Sequence, residues 1–116
     1  MSGGSMDYVF GRIAIAASEV EEEIRKIEEN ESISDFAPSQ YYLDHYPNKP
    51  EFACAAKLKE EVLKRMREAA KTLRRAEIYA RRVEWLTSDD DGYESFVVRT
   101  DDELAKLEAS HGIERN

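Results

Sequence analysis

Residues 55–86 read AAKLKEEVLKRMREAAKTLRRAEIYARRVEWL, a stretch without glycine or proline. Apolar side chains recur through it, and just ahead of it, at Phe52, Ala55, Val62, Met66, Ala69, Leu73, Ala76, Ala80 and Val83. Steps of three, four and seven keep one face of a helix turned toward a single partner along its length. Upstream, Asn48-Lys49-Pro50-Glu51 supplies a helix start: Asn48 is placed to cap, Pro50 to fill the first turn, and Glu51 to reach back to the Asn48 amide. The pattern predicts a helix over about residues 49–86, roughly 50 Å long at 1.5 Å per residue.

A second seam precedes it. Phe10, Ile13, Ala17, Val20, Ile24 and Ile27 follow one another at alternating steps of three and four, which predicts a helix over about residues 7–30 with Asp7 as its cap. Gly11, Ala14, Ala16 and Ala17 give its first half a small-sided flank suited to close approach of another backbone. Two such helices folded antiparallel leave the far end of the longer one uncovered. Ile78, Tyr79, Trp85 and Leu86 make that end apolar nearly all round, and such a helix is covered on more than one side.

The tail is expected to cover it. Ser88 to Gly92 reads as a turn, 93–99 as a short strand, and Thr100-Asp101-Asp102-Glu103 as a capping box opening a short helix over 101–111 that closes at His111-Gly112. Phe96, Val98, Leu104 and Leu107 would then lie over Ile78 and Trp85. Pairing of the strand with a symmetry mate is the alternative. The expected fold is all-α or mostly α: an antiparallel helical hairpin with one very long helix, plus a short extended segment and a short C-terminal helix.

With 116 residues, the chain is expected to form a single helical domain over 6–116, and the small d-position residues favour a homodimer. Met1 to Ser5 read as an expression scar. No apolar stretch approaches the roughly 20 residues needed to span a bilayer, and no signal sequence is evident, so a cytoplasmic protein without membrane association is expected. The single cysteine, Cys54, allows no internal disulfide.

The net charge of −8 is unevenly distributed. Residues 1–36 and 87–116 each carry nine acids against three bases, whereas 51–86 carry six acids against ten bases. The acidic arms either neutralise the basic helix within the fold or leave a charged surface for a partner.

No cofactor is expected and no enzyme signature is present. Asp89-Asp90-Asp91-Gly92 resembles part of a calcium loop, but the first and twelfth ligand positions fall on Thr87 and Val98. Glu19, Glu22 and Glu29 on the first helix face water, whereas the inward carboxylates of a metal-dependent hydrolase would face the core. Cys54 and His45 lack an oriented base and an oxyanion site.

The richest candidate surface is the connection over 31–50. It concentrates Phe36, Tyr41, Tyr42, Leu43 and Tyr46 among prolines and serines, and Pro38 to Tyr46 suits two helical turns. Tyrosines bury large area at low entropic cost, so Tyr41, Tyr42, Tyr46 and Phe36 point to a protein-binding surface, unless the rings close the hairpin core. The expected function is a non-enzymatic protein-protein interaction module, such as a small acidic inhibitor or adaptor. An alternative is nucleic-acid association through the basic face, Lys64, Arg67, Lys71, Arg74, Arg75, Arg81 and Arg82. A third is an acidic mimic of nucleic acid directed at a nucleic-acid-binding protein.

Overall fold

The computed structural model describes residues 8–114, with side chains to residue 110. Four α-helices run in the order α1 (Val9–Glu29), α2 (Gln40–His45), α3 (Ala55–Thr87) and α4 (Tyr93–Glu114), with 3₁₀ turns at Ile33–Phe36 and Pro50–Ala53. Among the described residues there is no strand. The helical hairpin expected from the two seams is present, with α3 packed against α1 and α4. The expected scar at 1–5 and the Asp7 cap lie outside the described residues.

The chain forms two compact units to which α1 and α3 both contribute. One contains Val20–Glu68. Here α3 runs antiparallel to the second half of α1, tied by Arg67 to Glu28 at 2.6 Å and by Lys59 Nζ, which donates to the Asn30 carbonyl at 2.6 Å. The Lys59 ammonium also lies 5.1 Å from the centre of the Phe36 ring. A single lysine therefore fixes both the end of α1 and the first aromatic of the connection.

The other unit joins the first part of α1 to residues from Ala69 onward. Arg74 donates to Ser18 Oγ at 3.1 Å, and Glu84 accepts the Tyr8 amide at 3.0 Å, again an antiparallel pairing. The α1 seam is as the sequence predicts: Ala17 is buried and the other five members are half-buried. Gly11 departs from expectation, because a Cβ placed there would meet nothing within 4 Å. Among the described residues no backbone closely approaches that position.

On α3 the predicted seam is half-buried except at Ala69, and the most deeply buried row lies one residue further on. Ala70 is 2% exposed whereas Ala69 is exposed, and Leu63 and Glu84 are buried in the same heptad row as Ala70. Two glutamates on that row, Glu77 and Glu84, hide it from a search for apolar spacing. The helix also starts later than predicted, at Ala55. Pro50 and Glu51 instead open a 3₁₀ turn whose cap position is Lys49, with no side-chain cap, so Asn48 does not cap it. Cys54 precedes α3, exposed, its carbonyl accepting the Leu58 amide at 2.9 Å.

The largest correction is at the tail. Residues 93–99 are helical and continuous with the rest of α4, so neither the strand nor a separate helix over 101–111 exists, and the helix passes Gly112 to end at Glu114. Thr100 is buried within the helix, and among the described residues its Oγ1 has no hydrogen-bond partner. Glu103 does not reach back to close a capping box. It accepts from Arg82 at 2.7 Å and from Arg81, both on α3. The side chains of His111, Gly112 and Ile113 lie outside the described residues.

The turn into α4 forms as read, over Ser88 to Gly92. Asp90 and Asp91 amides bond the Trp85 carbonyl at 2.8 and 3.2 Å, and Asp89 takes φ 64°, a left-handed conformation that aspartate tolerates. The Asp91 side chain, 1% exposed, accepts from Arg82 at 3.2 Å, Arg99 at 3.1 Å and Ser95 Oγ at 3.0 Å. Ser95 and Arg99 lie four and eight residues beyond Asp91, so they converge on it only if this stretch is helical. That convergence outweighs the strand preference of Val97 and Val98.

Candidate functional site

The aromatic connection belongs to the unit over Val20–Glu68. Asn30 organises its start, with Oδ1 accepting the Ser32 amide at 2.9 Å and Nδ2 donating to Asp35 at 3.1 Å. Ser39 then caps α2 by accepting the Tyr42 amide at 3.2 Å, the usual service of a serine ahead of a first turn. The two helical turns expected over Pro38 to Tyr46 are thus present in shortened form.

In α2 and at its C-cap, Tyr46, rings pair four residues apart. Tyr41 stacks on His45 with centroids 4.0 Å apart, and Tyr42 on Tyr46 at 5.5 Å. His45 Nδ1 lies 2.9 Å from the Tyr41 carbonyl, which fixes the imidazole in the stack. The half-buried Tyr42 donates its hydroxyl to the Lys49 carbonyl, so its ring ties α2 to the following turn. Partial desolvation and the nearby Glu51 carboxylate hold the Tyr42 phenol above its usual pKa.

The four predicted residues therefore divide by role. Tyr41 and Tyr46 face solvent, 63% and 51% exposed, while Tyr42 and Phe36 hold the segment together. Leu43, which the sequence groups with these rings, is exposed, and so is Ile33, which sequence reasoning did not select. Isolated aliphatic residues carry no signal of their own. Elsewhere in this unit Phe52, Leu58 and Val62 line an open hollow of about 180 Å³ with Glu61 and Arg65, below the 300–1,000 Å³ of typical small-molecule pockets.

The basic face has a different fate. Lys71 and Arg75 pair with Glu108, Arg81 and Arg82 with Glu103, Arg82 also with Asp91, Arg74 with Glu77, and Arg67 with Glu28. Lys64 is exposed. Arg82 and Arg81 also lie 4.8 and 5.7 Å from the Trp85 ring centre. The acidic tail thus neutralises much of the basic helix within its own unit. Asp91, which a calcium reading would need, is occupied by two guanidinium groups, and among the described residues no group of three His, Cys, Asp or Glu side chains is arranged to hold a metal.

Among the described residues no helix is long and apolar enough to cross a membrane. No protein-family model, curated protein or solved structure matches the chain.

Proposed function

We propose that this chain is a non-enzymatic protein-interaction module whose working surface is the aromatic connection. The observation that carries this reading is the outward presentation of Tyr41, within the six-residue helix, and of Tyr46, at its C-cap, each ring already stacked on a neighbour. Aromatics fixed before binding lose little conformational freedom when a partner covers them, and such residues commonly anchor protein interfaces. Nucleic-acid association through the basic face has weaker support, because most of those side chains already neutralise carboxylates.

The test is a co-purification comparison from native cells. Tyr41→Ser with Tyr46→Ser is expected to lose the partner that the wild-type chain retains, since truncated central aromatics typically cost about 2 kcal/mol or more each. The melting temperature should stay nearly constant, because both rings are exposed. Retention of the partner by this variant, together with its loss on Arg67→Glu and Lys64→Glu, would move the function to the basic face.

A further inference from the structure

Residues 31–54 carry Glu31, Asp35, Asp44 and Glu51 against a single lysine, Lys49. All four carboxylates are exposed, and among the described residues none of them pairs with a cation: Asp35 and Asp44 accept only from the neutral amides of Asn30 and Gln40. The flanking helices differ. Glu22 and Glu29 pair with Arg25, Glu23 with Lys26, Glu28 with Arg67, and Glu60 and Glu61 with Lys57. Negative charge in the unit over Val20–Glu68 is therefore left uncompensated at the connection. Rings lie beside it. At 3.6 residues per turn, Tyr41, His45, Tyr42 and Tyr46 fall within one arc of about 140° on α2 and its C-cap. Tyr41 and Tyr46 each have a ring face against a stacking neighbour and more than half of their surface in solvent. Asp44 lies three residues beyond Tyr41, a neighbouring position on the helix surface. Partial desolvation and the Glu51 carboxylate raise the pKa of the Tyr42 phenol, which places Glu51 beside the same rings.

An exposed aromatic face beside unneutralised carboxylates is complementary to the guanidinium group. That group is planar, stacks on ring faces and pairs bidentately with carboxylates, whereas an ammonium is a compact, strongly hydrated point charge. A purely apolar segment would cover the rings but would desolvate the carboxylates without a partner, which is unfavourable. A second copy of the chain has few guanidinium groups to offer, because Arg25, Arg65, Arg67, Arg75, Arg81 and Arg82 already pair with its own acids. We propose that the aromatic connection docks an arginine-rich segment of a protein partner, with guanidinium groups on the Tyr41 and Tyr46 rings and paired with Asp44 and Glu51. This rests on the connection being the working surface, and it names the chemistry of the partner.

The probe is a synthetic peptide of alternating arginine and serine, compared with the same peptide built with lysine and with glutamate. Fluorescence anisotropy with the full chain is expected to show binding of the arginine peptide that weakens as salt rises, weaker binding of the lysine peptide, and none of the glutamate peptide. Tyr41→Ser with Tyr46→Ser should weaken arginine-peptide binding about tenfold, and Tyr41→Phe with Tyr46→Phe, which keeps the ring faces, should lose less. Asp44→Asn with Glu51→Gln should weaken binding and flatten its salt dependence. Glu94→Gln with Asp101→Asn, which removes two exposed charges from the other unit, should do so less. All of these side chains are exposed, so circular dichroism of every variant should remain that of the wild type. Absence of arginine-peptide binding, undiminished binding by the serine variant, or equal losses from the two charge removals would overturn the proposal, the last because general attraction to an acidic chain would then suffice. So would a wild-type dimer in sedimentation that the serine variant converts to monomer, since a second copy would then occupy the rings. In co-purification, a native partner lost from the serine variant but held at high salt by Asp44→Asn with Glu51→Gln overturns the arginine chemistry and leaves the aromatic surface standing. A partner kept by the serine variant overturns both.

Discussion

The fully buried carboxylate of Glu84 accepts the backbone amide of Tyr8 at 3.0 Å, joining positions 76 residues apart in the chain. Tyr8 itself takes φ 53°, a left-handed conformation uncommon for an aromatic residue, immediately before α1 begins at Val9. The entry to α1 is therefore satisfied by a side chain from the far end of α3.

Removing that acceptor should destabilise the fold. Glu84→Ala leaves a buried void and deprives the Tyr8 amide of this bond, a loss expected to cost about 1–3 kcal/mol. Denaturant melts measure the loss, and amide exchange at Tyr8 should quicken. Glu84→Gln keeps an oxygen in place and should lose less.

Gly11 offers the opposite outcome. It lies inside α1 with open space where a Cβ would sit. Gly11→Ala is expected to raise stability by about 0.5–1 kcal/mol, because alanine restricts the unfolded chain and favours helix without a clash. A lowered melting temperature would show that another backbone does approach this position.

Neighbouring alanines test the register of α3. Ala70→Glu would force a carboxylate into the inward row and should cost several kcal/mol, about as much as a small domain can lose. Ala69→Glu, on the exposed side, should change stability by less than about 0.5 kcal/mol. Equal melting of the two variants would be incompatible with the observed burial.

Acidification should loosen the attachment of α4. Hydrogen bonding to Arg82, and then to Arg81, lowers the pKa of Glu103 from its ordinary 4.5. A carboxylate whose folded-state pKa is depressed contributes stability that is fully present above its unfolded value and is lost as pH falls through the folded one. Glu108 is shifted in the same direction, by Lys71 first and Arg75 after it. Melting temperature is therefore expected to fall as pH drops below about 4.5, and the fall should be shallower in Glu103→Gln.

What local sequence determined here was the existence of two long helices, the α1 seam, the turn after Ser88 and the short helix opened by Ser39. Each rests on interactions within a few residues or on a row in which every inward member is apolar, so spacing alone is informative. Tertiary structure decided the inward row of α3 and the state of residues 93–99. Glu77 and Glu84 lie on that row although they are charged, and a carboxylate belongs there only because another part of the chain, such as the Tyr8 amide, meets it. Val97 and Val98 favour extended backbone by themselves, but a strand needs a ladder partner. The helix instead brings Ser95 and Arg99 onto Asp91 and Glu103 onto Arg81 and Arg82. Those partners lie on a different helix or a turn away, and their pull on the backbone exists only once α3 and α4 have met.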